Sequence, residues 1–76
     1  MKAIKLGKDS NGKKVTICVD NNGLFAVFVE KTSYEGGRDI TRMVYTDIRV
    51  SREEAEKSYN RKAVKLISFS TKYYPA

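Results

Sequence analysis

The residues able to do chemistry are few. The chain has one cysteine, Cys18, and no histidine. Without histidine it lacks the usual general base near neutral pH and the commonest metal ligand. A single cysteine adds too little for a zinc site within one chain. Cys18 stands between Ile17 and Val19 in an apolar run, with no base at an activating spacing, and reads as a small packing residue. Asp9-Ser10-Asn11-Gly12 and Asp20-Asn21-Asn22-Gly23 hold the residue types of calcium loops. A calcium loop, however, places its glycine sixth and a glutamate six residues later, so both stretches read as hairpin turns. Gly36-Gly37 precedes no Gly-Lys-Ser/Thr and cannot be a phosphate loop. Glu53, Glu54 and Glu56 have the placement of acids at a helix start. These residues predict a protein that is not an enzyme, with no cofactor, no metal and no small-molecule substrate.

Binding chemistry is the remaining signal. Fifteen Lys and Arg against nine Asp and Glu give a net charge of +6, which favours anionic partners. Basic residues interleave with aromatics along the chain. Single-stranded nucleic acid is held by such a set, with aromatic rings stacking bases inside a basic groove. The candidate contacts are Lys5, Lys31, Arg38 and Arg42, with Phe25 as the stacking ring.

These residues need elements to position them. Asn11-Gly12 and Asn22-Gly23 are two-residue hairpin signals, because a type I′ turn needs positive φ at both central positions. Gly36-Gly37 is a third such signal. The runs between them, 3–8, 13–20, 24–31 and 38–49, are strand-like, and four antiparallel strands in a meander follow. Ser51 with Glu54 forms a capping box. Glu53, Glu54 and Glu56 early and Arg61, Lys62 and Lys65 late suit the helix dipole. Ala55, Tyr59, Ala63 and Leu66 recur at helical spacing, predicting a helix from about 52 to 66 or 67. Residues 67–76 alternate apolar and polar, as an extended tail: a fifth edge strand or a strap across the sheet.

Two-residue loops fix a register. With Asn11-Gly12 as loop, Leu6 faces Ile17; with Asn22-Gly23 as loop, Ile17 faces Phe28. Facing residues share a side of the sheet. One face then carries Ile4, Leu6, Val15, Ile17, Val19, Leu24, Ala26 and Phe28, and the helix covers it. The second face carries Lys5, Thr16, Cys18, Phe25, Val27 and Val29. A two-residue Gly36-Gly37 loop places Val44 opposite Val29 and Ile48 beside Phe25. The stretch Leu24–Val29 is thus apolar on both sides, and one helix can roof only one of them.

The expected fold class is α+β: a four-stranded antiparallel β-meander, one C-terminal helix packed on one face, and a short extended C-terminal tail. Its 76 residues make one domain, 1–76. No run approaches the about 18 apolar residues of a membrane span, and the first 20 residues lack a signal-peptide core. One cysteine cannot make a disulfide scaffold. The expected location is cytoplasmic, with no membrane contact. Four strands followed by one helix is similar to small single-strand-binding coactivator domains and to several small phage-encoded inhibitors of bacterial defence systems. That likeness is one of architecture and assigns no residues.

The resulting reading is a small non-enzymatic binding module. Its second face, through Phe25, Val27, Val29, Val44 and Ile48, makes a protein–protein contact. The partner is a second copy, or a nucleic-acid-handling complex that the chain inhibits or adapts, as a phage or mobile-element protein would. The alternative is direct single-stranded nucleic-acid binding through the basic set above.

Overall fold

The computed structural model describes residues 2–69. Its elements run β1 (Lys2–Lys8), β2 (Lys14–Val19), β3 (Phe25–Glu35), β4 (Arg38–Val50), α1 (Arg52–Lys62) and β5 (Lys65–Phe69). The strands form one sheet in the order β4-β3-β2-β1-β5, every pairing antiparallel. The α+β class and the meander followed by one helix are as expected. The sheet has five strands rather than four, because residues 65–69 pair with β1. The tail beyond, including Thr71 and Tyr73, lies outside the described residues. No helix among the described residues is long and apolar enough to cross a membrane.

The helix begins where its cap demands. Ser51 takes an extended conformation, and its hydroxyl accepts the Glu54 amide at 3.2 Å. It ends at Lys62, several residues short of the expected 66 or 67. Ala63 is already extended, and the Val64 amide donates to the Lys8 carbonyl at 2.8 Å. The competing force is the free edge of β1. Leu66-Ile67-Ser68-Phe69 has β-forming residue types, and pairing it satisfies backbone groups a longer helix would leave open. Leu66 therefore faces Gly7 across the ladder as a strand residue and is no part of a helical stripe.

The first two hairpins depart from expectation by one residue each, with a large consequence. Asp9 N–H donates to the Lys13 carbonyl at 2.9 Å, and Asp20 N–H to the Leu24 carbonyl at 2.9 Å. The loops are thus three residues long, 10–12 and 21–23. Each is held by the aspartate before it: Asp9 Oδ1 accepts the amides of Asn11 and Lys13, and Asp20 Oδ1 those of Asn22 and Leu24. Gly12 and Gly23 supply the left-handed residue at φ 78° and 79°. An aspartate that bonds the backbone two residues on favours this wider loop over a tight type I′ turn.

One added loop residue moves the partner of Ile17 from Phe28 to Val27, and with it every side chain of β3 changes face. The helix-covered core holds Ile4, Val15, Ile17, Phe25, Val27, Ala55 and Tyr59, with Val19, Val29, Val50 and Ala63 packed around it. The β2 residues are as expected. Phe28 and Leu6 are not under the helix. Ile4 enters the core through a register shift between Ala3 and Lys5. The third hairpin is as expected, with Gly36 and Gly37 forming the two-residue turn at φ 57° and 81° and Val44 facing Val29, but register shifts between Phe25 and Phe28 bring Val50, not Ile48, opposite Phe25.

Candidate binding face

The covered face shows why it is closed. Ala55 and Ser58 are fully buried and Tyr59 nearly so; their positions on successive turns bring the helix flat against β2 and β3. Gly7 leaves the space that the Tyr59 ring end occupies, since a Cβ there would stand 2.2 Å from the hydroxyl oxygen. Lys5 also points to this side, where Glu56 receives it at 2.9 Å and its ammonium lies over the Tyr59 and Phe69 rings at 4.9 and 5.5 Å. At the other end Ser58 donates to Asp47 of β4, and Lys62 donates to Ser58 at 2.7 Å. The Ser58 hydroxyl holds the Asp47 carboxyl below the usual carboxylate range, against the opposing effect of burial. Ser58 is shut away from solvent, so this trio ties α1 to β4 and presents no nucleophile.

The opposite face of the same sheet has no roof among the described residues. Cross-strand pairing sorts it into rows. Leu6, Thr16, Phe28 and Tyr45 face one another in turn from β1 to β4. One step along, Ala3 faces Cys18 and Cys18 faces Ala26. One step the other way, Lys8 faces Lys14, and Glu30 faces Met43; a Glu30 oxygen takes the Lys14 amide at 3.4 Å. Phe28 and Tyr45 pack ring to ring at 4.6 Å, tilted by 38°. Tyr45 and Met43 remain 55% and 42% exposed.

Two adjoining depressions cut this face. One, of about 460 Å³, is lined by Ala3, Leu6, Lys14, Thr16, Glu30, Thr41, Arg42 and Met43. The other, of about 250 Å³, lies between Thr16, Cys18, Phe28 and Met43. Small residues sit beside large ones, so the surface is notched rather than flat. Burial pushes the Cys18 thiol pKa up, which makes it a poor nucleophile on this surface.

The residues expected to make the contact are mostly elsewhere. Phe25 and Val27 are 3% and 0% exposed under the helix, Val29 packs against that core, and Val44 faces Val29 on the same side. Of the five, only Ile48 is exposed, in the bulged end of β4 beside Arg49 at φ 56°. The nucleic-acid set is dispersed too. Phe25 is buried, so it cannot stack a base, and Lys5 is engaged with Glu56 on the helix side. Lys31 and Arg38 lie on the β3–β4 ribbon beyond β2, and Arg42, paired with Glu35, lines the larger depression of the open face. Thr16 and Cys18 are on the second face as expected; what sequence reasoning missed is Phe28, Tyr45, Met43 and Leu6. The signal for them was present: an aspartate two residues before each Asn-Gly.

The geometry defines a class: a single-layer antiparallel sheet with a helix on one side and an open, notched, largely apolar surface on the other. Comparison with known proteins returns no matching family, no matching curated relative and no matching solved structure.

Proposed function

We propose that the chain is a non-enzymatic binding module whose open sheet face, centred on Phe28, Tyr45 and Met43, makes a protein–protein contact. The observation that carries this is the run of apolar cross-strand rows on a face left without cover among the described residues. Large side chains, shallow notches and polar hydroxyls from Thr16 and Thr41 are the make-up of an interface core with its rim. Exposed apolar surface of this continuity marks contact sites more often than idle surface.

Direct nucleic-acid binding has weaker support on the same face. Lys8 and Lys14 suit phosphate, but Glu30 stands beside Phe28 on its own strand and directly faces Met43. A carboxylate there repels the backbone of any strand whose bases stack on Phe28 or Tyr45. Both charge signs in one row suit a protein surface.

The test is a photocrosslinker at position 45, Tyr45→p-benzoylphenylalanine, in cells that carry the protein. The expected result is a discrete protein adduct that survives nuclease, with none from the same group at Lys57 on the outer side of the helix. An adduct to nucleic acid, or no protein adduct from position 45, would overturn the reading.

A further inference from the structure

We infer that the occupant of the open face is a second copy of this chain, stacked face to face in a β-sandwich with its two-fold axis between β2 and β3, parallel to the strands. This rests on the proposed contact face and names its partner. The argument is self-complementarity. A two-fold contact requires that what residue i offers, residue j accepts, and the reverse. An axis so placed lays β2 over β3 of the other copy and keeps each cross-strand row in register with itself.

Each direct pair then becomes a pair between copies. Thr16 faces Phe28 within the sheet, so Phe28 of each copy comes down over Thr16 of the other. There the notch of about 250 Å³ beside Thr16 and Cys18 receives it. Cys18 and Ala26 meet small over small. Leu6, at the β1 end of the row, meets Tyr45 at the β4 end. In the next row Lys14 comes over Glu30 and Glu30 over Lys14, and Lys8 over Met43. Phe28 lands on the smaller Thr16, and Lys14 and Glu30 each land on their opposite charge. Sheets stacked this way sit about 10 Å apart with side chains interdigitated.

The contact is confined to the body where β1 to β4 lie side by side, since the 47 Å length of the molecule includes the β3–β4 ribbon. The net charge of +6 repels two copies at long range. A contact that forms despite it needs local opposite charges, which the Lys14–Glu30 exchange supplies twice.

Charge exchange gives a test specific to this geometry. Lys14→Glu makes the row acid on acid between identical copies; Glu30→Lys makes it base on base. Both positions are at the surface, and far-UV circular dichroism verifies that each variant is folded. By sedimentation equilibrium the native chain is expected at twice 8.6 kDa. Each single variant is expected to weaken association by tenfold or more, and an equal mixture of the two is expected to recover it as a mixed dimer. A native dimer whose mixture does not recover overturns this packing and leaves the contact face in place. A native chain that is monomeric at every concentration overturns the inference; the position-45 crosslink then shows separately whether another protein holds the face.

Discussion

The two faces of the sheet have opposite fates. Along β3, Phe25, Val27 and Val29 go under the helix, while Ala26 and Phe28 go to the open side. The covered side offers the helix an aliphatic bed of Val15, Ile17 and Val27; the open side mixes Phe28, Tyr45 and Met43 with Lys14, Thr16 and Glu30. A strand apolar on both faces can build a core on either, and turn chemistry decides which.

The contrast is sharpest in a matched pair of truncations. Phe25→Ala empties a core site and is expected to cost about 3–5 kcal/mol in urea unfolding. Phe28→Ala removes one half-buried ring and its contact with Tyr45, at about 1 kcal/mol. Equal losses would mean that the open face is as much a core as the covered one.

Gly7→Ala comes next. Its Cβ would meet the Tyr59 hydroxyl oxygen at 2.2 Å and the Lys65 carbonyl oxygen at 2.4 Å. The backbone contact cannot swing aside, so overpacking of about 1–3 kcal/mol is expected, with increased hydrogen exchange in β5. A neutral result would show that β5 and Tyr59 are held less closely than described.

Ser58→Ala probes the polar clamp between the helix and β4. It removes one of the two hydroxyls, Ser58 and Thr46, that donate to Asp47, at an expected cost of about 1–3 kcal/mol. The sign of its pH dependence follows from the lowered Asp47 pKa. Folding favours the ionised carboxylate, so this contribution is complete above the unfolded carboxylate range near about pH 4. It is lost as pH falls through the folded pKa. The Ser58→Ala variant should therefore show a flatter acid limb than the native chain between about pH 5 and 2.

The smallest effect belongs to the ribbon. Lys31→Ala or Arg38→Ala, on fully exposed strands beyond β2, should move stability by no more than about 0.5 kcal/mol. A larger loss would make the ribbon part of the body.

Particular residues show how far the sequence could be read. Ser51 and Glu54 gave the helix start, and Gly36-Gly37 gave the third turn and the Val29–Val44 register. Asn-Gly alone points to a two-residue turn, whereas the aspartate two residues earlier bonds the backbone and widens each loop to three. A consistent apolar face does not expose the difference. Ile4 and Leu6 alternate with Lys5 and Gly7, and β3 is apolar on either side, so the shifted register looked as clean as the native one. Lys5 under the helix edge was beyond local pattern, since only the fold brings Glu56, Tyr59 and Phe69 around it. The helix end was misplaced because the gain from pairing β5 with β1 is a tertiary one.

The most direct test compares two neighbours on one strand. Val27→Glu puts a carboxylate into the closed core, and Phe28→Glu puts one on the open face. By circular dichroism and sedimentation, Val27→Glu should be unfolded, while Phe28→Glu should be folded and unable to associate. A folded Val27→Glu beside an unfolded Phe28→Glu would contradict the account, because it would place the helix on the other side of the sheet.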